Sequence, residues 1–381
     1  FLLAMKKALA VSLWLLVLVA NMSYCYSDKI DALLKRLNKP ALKSIKSPDG
    51  DIIDCVHISQ QPSLDDPSLK NHSIQMRPRY IPGGLANEKE GSLKQMWHLS
   101  GSCPKETIPI RRTTREDILR ASTAITNQGG GIERAITHLE GGSYYGTNAT
   151  INLWHPVVQT EVEYSSSQIW IKAGSGDELN TIEAGWQVYP VEYKDHNTRL
   201  FIRWTNDGHK SSGCFNFDCT GFMQTSNTVV LGGTIIPGEV LSPVSHYNGA
   251  QYVMTVSVWK DLKEKRWWLY INGTEVGYWP TDLFTHLDSS SDLLEWGGEV
   301  LNINTNGKHT TTQMGSGHFP SEGYGKASFF SNIEIVNSED KLAPAENLIT
   351  QATRPKCYDV TNPPNFPCVG SYFFYGGPGC P

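Results

Sequence analysis

No G-x-S-x-G, no H-E-x-x-H and no C-x-x-C occurs anywhere in the 381 residues. The first absence removes the strained strand-to-helix elbow that presents a serine nucleophile. The second removes the two-histidine zinc helix, and the third the commonest structural-zinc spacing. Ser316, in Met314-Gly315-Ser316-Gly317-His318, therefore has no motif behind it as a nucleophile. His309 and His318 read as loop or core histidines. No glycine-rich loop follows a strand and opens a helix, so a phosphate cradle is not expected, and no metal or cofactor is implied. Beyond Ala20 no stretch is apolar enough to cross a bilayer, and no repeat of solenoid length is evident. Helical periodicity is nearly absent too. It shows once, over residues 28–43, where Ile30, Leu33, Leu34 and Leu37 share a face.

What is present begins with an address. Met5-Lys6-Lys7 and the apolar run Ala8 to Ala20 have the form of a secretory signal, with Phe1 to Ala4 as untranslated leader. Residues 1–27 are thus expected to be leader and signal, and the product to be exported and soluble. The 8 cysteines suit an oxidising compartment. Cys25 leaves with the signal. Cys55 and Cys103 stand alone in the segment that follows and are expected to pair; Cys214 and Cys219 close a small loop. Cys357, Cys368 and Cys380 compete at the C-terminus. Asn71, Asn148 and Asn272 head N-x-[ST] sequons and are candidate glycosylation sites.

Charge divides the remainder. Residues 28–130 carry 16 Lys/Arg against 12 Asp/Glu, whereas residues 131–381 carry 15 against 26. A basic first segment beside an acidic second one favours the two pairing with each other and speaks against nucleic acid. The polar stretch from Thr113 to Gly131, ending in three glycines, reads as the linker between them. From Gly131 onward short strands recur between Gly/Asn turns. Trp267 to Ile271, Asn272-Gly273 and Thr274 to Trp279 form a hairpin by local rules. The expectation is all-β: an antiparallel, jelly-roll-like β-sandwich over 131–381, behind a small mixed domain over 28–130.

Two segments carry the chemistry. In residues 180–190, alternation turns Ile182, Ala184, Trp186 and Val188 to one face and Glu183, Gly185, Gln187 and Tyr189 to the other. In residues 293–301, Glu295 and Glu299 share a side with Gly297 between them. By the same alternation Trp186 and Trp296 go to the core. Two carboxyls in one small cleft cannot both ionise easily, so one would serve as base and the other as acid.

The wording NTIEAGWQVYP, RLFIRWT, SSGCFNFDCTGFMQT, WWLYINGTEVGYWP, LEWGGEV and FYGGPGC, in this order, resembles the plant neprosin family of glutamic peptidases, which cleave after proline. The stretches DGDIIDCVHISQQPSLDDPSLKNHSIQMRP and CPKETIPIRR resemble that family's activation peptide. The resemblance runs from about Asp28 to the end. It implies a catalytic pair Glu183 and Glu299, with Glu299 the base and Glu183 the acid, or the reverse. Glu295 is then structural. Gln168 is either an oxyanion donor or a strand-edge amide, and Gln187 and Tyr189 line the cleft. It also implies a Cys357–Cys380 pair, with Cys368 left over. The expected protein is a secreted, acid-activated, monomeric endopeptidase. It acts on proline-containing proteins or peptides and is inhibited by its own pro-domain. The rival expectation is a non-catalytic, glycan-binding sandwich, for which Trp267, Trp268 and Trp279 on one hairpin would be sugar-stacking rings.

Overall fold

The computed structural model describes residues 27–83, 85, 93–125, 131–236, 244–304, 307–361 and 371–380. The signal-like run, Cys25, Gly129, Gly130 and Cys368 lie outside the described residues. Helix α1 spans residues 27–37, shorter than its periodicity suggests. Pro40 is the reason, because proline pushes the residue before it out of helical conformation. The chain then extends into β1 (Ala41–Lys46), turns at Asp49-Gly50, where Gly50 has φ +92°, and returns as β2 (Ile52–His57). With β3 (Thr107–Arg111) these make a three-stranded antiparallel sheet ordered β1-β2-β3. Cys55 and Cys103 are disulfide-bonded. Ile45, Ile53, Cys55, Trp97 and Cys103 form a core too small to stand alone, and Val230 of the larger domain completes it.

Where a linker is expected, residues Arg115–Ile125 instead form helix α2. Thr114 and Asp117 cap it reciprocally. The Thr114 N–H donates to Asp117 Oδ2 at 2.7 Å, and the Asp117 N–H donates to Thr114 Oγ1 at 3.2 Å. Only the glycines beyond it remain as a candidate link.

The larger domain is a pair of antiparallel sheets. One has six strands: β4 (Gly131–Tyr144), β6 (Ser165–Ala173), β7 (Asn180–Val188), β8 (Arg199–Thr205), β13 (Ser291–Asn302) and β16 (Ile349–Ala352), in the order β16-β4-β13-β6-β7-β8. The other contains β5 (Gly146–Asn152), β9 (Met223–Gln224), β10 (Val253–Asp261), β11 (Arg266–Ile271), β12 (Thr274–Pro280), β14 (Ser328–Val336), β17 (Asp359–Thr361) and β18 (Phe373–Gly376), in the order β17-β18-β14-β5-β10-β11-β12-β9. β15 (Leu342–Pro344) pairs with β14. A short helix α3 (Pro190–Tyr193) follows β7.

Ile182, Ala184, Trp186 and Val188 are all fully buried between the sheets, as alternation requires. Each large side chain so placed is worth roughly 1.5–3 kcal/mol relative to exposure. The indoles also tie the layers together: Trp186 Nε1 donates to Asn152 O at 3.0 Å, and Trp296 Nε1 to Thr147 Oγ1 at 3.0 Å. Trp267, Trp268 and Trp279 are fully buried as well. Rings inside a core cannot stack on a sugar, so the observation behind the glycan-binding rival is lost.

Cys214–Cys219 and Cys357–Cys380 are bonded. Asn71 is exposed, and Asn272 sits half-buried in its turn. Asn148 is different. It is inside β5 with no exposed surface, donating to Glu334 at 3.0 Å and accepting from Ser257 at 2.6 Å. The folded sheet has no room for a glycan there, so Asn148 is withdrawn as an acceptor.

Candidate active site

Directly opposed residues of antiparallel strands share a face, and the register of β4, β13, β6, β7 and β8 lays out three rows on one face. The first row is Arg134, Glu299, Ser166, Gln187 and Arg199. The second is Ile136, Gly297, Gln168, Gly185 and Phe201; the third is His138, Glu295, Trp170, Glu183 and Arg203. Gln168 thus stands in the middle row with a glycine on either side. Neither glycine tolerates a side chain. A Cβ on Gly185 would lie 2.1 Å from Ser167 O, and one on Gly297, at φ +150°, 2.3 Å from Ala135 O. The result is a bare strip of backbone around Gln168, with Glu299 in the row on one side and Glu183 in the row on the other.

The two carboxyls are held by different neighbours. Glu299, 2 % exposed, accepts from Tyr164 OH at 2.5 Å on one oxygen and from Arg134 Nε at 2.7 Å on the other. Burial alone would raise its pKa. Arg134, the Tyr164 hydrogen bond and Arg203 outweigh that and hold it below the ordinary carboxylate value. Arg134 also lies over the Trp170 ring, 5.2 Å from its centroid. Glu183, 3 % exposed, accepts from Gln168 Nε2 at 2.7 Å and from Thr181 Oγ1 at 2.9 Å, and His209 Nε2 is 3.7 Å from it.

The expected reason for their difference does not hold. The two glutamates make no hydrogen bond to each other, and Glu299 is kept ionised by a guanidinium and a phenol rather than by repulsion from a second carboxylate. Gln168 is a buried amide spent on Glu183, not a strand-edge group.

Gln187 is on the expected face and donates to Tyr193 OH at 2.8 Å. Tyr189 packs edge-on to Tyr164 at 5.1 Å and to Phe215 at 5.8 Å, and burial pushes its phenol up to about 12. Glu295 pairs with Lys172 at 2.9 Å. Arg134, Tyr164, Thr181, Arg203 and His209 escape sequence reasoning. Alternation along β4 and β8 would flag Arg134 and Arg203 only if the register were known.

The first domain docks on the same sheet's β8 edge. Arg199, fully buried, pairs with Asp51 of the β1–β2 turn at 2.6 Å and with Asp195 at 2.5 Å, and its guanidinium lies 5.0 Å from the Tyr193 ring centroid. Arg111 also reaches Asp51, at 3.0 Å. From α2, Arg120 donates to Val191 O at 2.6 Å. Buried amides extend the contact: Gln95 exchanges hydrogen bonds with both Val230 N and Val230 O, each at 2.7 Å. Arg79 reaches Glu264 at 3.4 Å in the polarity inferred from charge totals, but the buried contacts reverse it. At these contacts the leading domain's carboxylates hold an arginine of the larger domain. A cavity of about 350 Å³ lies between Arg36, Asp65 and Asp66 on one side and Ser211, Cys214 and Phe217 on the other; neither glutamate lines it.

A β-sandwich that carries an activation peptide is the class of protein these features belong to. The chain is a member of the neprosin family: the family model described as Neprosin matches residues 161–378, and that described as Neprosin activation peptide matches residues 44–138. Among solved structures, scytalido-glutamic peptidase with a transition state analog inhibitor is similar at 11 % identity and a TM-score of 0.36, covering 65 % of this chain and 98 % of its own. SCP-B of the Eqolisin family, in a complex with the tripeptide Ala-Ile-His, is similar at 11 % identity and a TM-score of 0.34, covering 65 % and 97 %.

Proposed function

We propose that the protein is a secreted glutamic endopeptidase, made as a zymogen, released by acid and cutting after proline. The observation that carries this is the unequal treatment of two buried glutamates on one glycine-floored face. Glu299, held as a carboxylate by Arg134 and Tyr164, takes a proton from water, and that water attacks the peptide carbonyl. Glu183 is the acid. Its proton goes to the leaving nitrogen, and the Gln168 amide, anchored on Glu183, turns a donor toward the oxyanion that develops over the bare strip. No covalent intermediate is needed.

Proline preference is supported by the aromatic edge formed by Tyr164, Tyr189 and Phe215, since proline offers an apolar ring and no N–H. Export is supported by the lysine-led apolar run and by 3 disulfides among the described residues. The test is to incubate purified precursor at acidic and neutral pH, following its size and its action on peptides that differ only in proline against alanine. Size reduction and cleavage after proline in acid alone are expected. Cleavage indifferent to proline would remove the specificity, and an inert, fully processed protein would remove the activity.

A further inference from the structure

His209 enters the site from a loop fixed at both ends. The Asp207 carboxylate accepts from the N–H groups of Lys210, Ser211 and Ser212, Thr205 Oγ1 accepts from the His209 N–H at 2.9 Å, and Cys214–Cys219 closes the following turn. Within it His209 has φ +65°, a left-handed conformation that few non-glycine residues adopt. Gly213 leaves the ring its space, since a Cβ there would fall 2.4 Å from His209 Nδ1. Backbone held in a sparsely populated region by surrounding bonds is a mark of a side chain that must be aimed. Its aim is Glu183, 3.7 Å from Nε2. The side chain keeps 28 % of its surface exposed, while Nδ1 is buried and makes no hydrogen bond. Nδ1 is turned into the protein, so Nε2 is the nitrogen left to meet the carboxyl.

Charged groups face the ring from four strands: Glu183 on β7, Arg203 on β8, Glu299 on β13 and Arg134 on β4. Burial first, then Arg203, hold the imidazole below its ordinary value against the upward pull of the two glutamates. A neutral ring offers Nε2 as an acceptor to a protonated Glu183.

We propose that His209 positions the proton on Glu183 and is the port through which that proton is restored after each turnover. This rests on the reading of Glu183 as the acid. Proton balance calls for such a port. As the C–O bond forms and the C–N bond breaks, Glu299 gains a proton from water and Glu183 loses one to the departing amine. The cycle ends with the proton on the wrong carboxyl. Glu299 then releases its proton to solvent, and His209, taking a proton from solvent at Nε2, passes it on to Glu183. The enzyme gains no net proton. The present separation needs to shrink by only ~0.5 Å to become a hydrogen bond, and catalytic hydrogen bonds are commonly long before substrate arrives.

Full-length chain carrying His209→Gln or His209→Ala, acid-activated, is assayed across pH on a proline-containing peptide. The alkaline limb of kcat should move down by roughly one pH unit, because the proton is no longer shared with an imidazole. kcat should fall about tenfold with KM changed by less than about twofold. Glu183→Gln runs alongside. If it still cleaves, the acid assignment itself is wrong. If it is inactive while both His209 variants keep the wild-type limb and rate, the relay alone is wrong. Should the variants fail to fold, the imidazole of His209 is titrated by NMR in the otherwise wild-type precursor and in its Glu183→Gln form. Its titration should shift when the carboxyl is replaced by an amide, and an unchanged titration overturns the proposal.

Discussion

Two pairs of acidic side chains lie in the larger domain, and the fold treats them in opposite ways. Glu183 and Glu299 stand in separate rows of the sheet with Gln168 between, and each is satisfied by its own donors. Glu192 of α3, half-buried, and Asp218, which keeps an exposed face, meet directly beside the leading domain's Arg111 and Ile110, around a cavity of about 30 Å³. Burial raises both, and Glu192 keeps a proton that it donates to Asp218. The two-carboxyl, one-proton arrangement expected of the catalytic pair is thus found at the domain interface instead. Separation by an amide lets a carboxylate stay charged where base chemistry needs it. Direct contact makes a plug in which one proton serves two carboxyls, at a surface the leading domain covers.

The contrast fails most visibly if the cleft pair is dispensable. Glu299→Gln and Glu183→Gln should each lower the rate on a proline peptide by ~10²–10⁴-fold or more, with the melting temperature little changed. Near-wild-type cleavage by a folded Glu299→Gln enzyme would reassign the chemistry.

The ionic latch beside the plug comes next. Asp51→Asn leaves the buried Arg199 short of a partner, a change that typically destabilises by ~3–5 kcal/mol. The variant's activation domain should therefore be released faster and at higher pH, as followed by electrophoresis over time. A release profile that matches wild type would mean Asp51 does not hold the domain.

Tyr164→Phe sharpens the comparison from the cleft side. The phenol helps to hold Glu299 below its ordinary value, so its loss raises that pKa and moves the acid limb of the rate profile to higher pH. A fall of about tenfold at the optimum matches one lost hydrogen bond to a charged group. An acid limb that stays put would show that Arg134 alone sets the ionisation.

Asp218→Asn should have a smaller effect, of opposite sign in pH. A carboxyl raised in the folded state stabilises fully below its ordinary value, and that stability is lost as pH rises through the raised one. Removing Asp218 lets Glu192 keep its proton without a charged neighbour, so the precursor should gain stability near pH 8 and its stability should vary less with pH. Asp117 and Asp195 act the other way. Their pKa values are lowered, so their contribution exists above the ordinary carboxylate value and disappears as pH falls through the lowered one. The acid release proposed above would work through this second group and against the first. Thermal melts of the Asp218→Asn precursor at pH 4 and pH 8 check the sign. Glu295→Gln, which breaks only the pair with Lys172, should change activity least of all.

Much of this was legible in the chain, for reasons that differ by residue. Ile182, Ala184, Trp186 and Val188 announce a half-buried strand because a period of two has few other meanings, and Glu183 follows from the same alternation. Helix α2 could have been read from Thr114-x-x-Asp117, a capping pattern passed over because the stretch is otherwise polar. Arg134 and Tyr164 could not, since they meet Glu299 from β4 and from the residue just ahead of β6, far away in sequence. The interface polarity misled for a physical reason. Net charge sums exposed groups such as Lys210 and Asp177, which pair locally, with the few buried ones, Asp51 and Arg199, that make the contact.

Strand β4 couples what leaves to what stays. It pairs with β13 along its length and carries Arg134, the arginine that keeps Glu299 charged, only three residues past Gly131. The activation-peptide match, residues 44–138, runs eight residues into this strand. Maturation therefore has a hard stop. On the proposed reading, a protease that trims the new N-terminus to Gly131 would free the pro-domain, whereas one that removes a few residues more would take Arg134 from beside Glu299. Over-processing past Arg134 should then lower activity, and the first residue of a sample would record it.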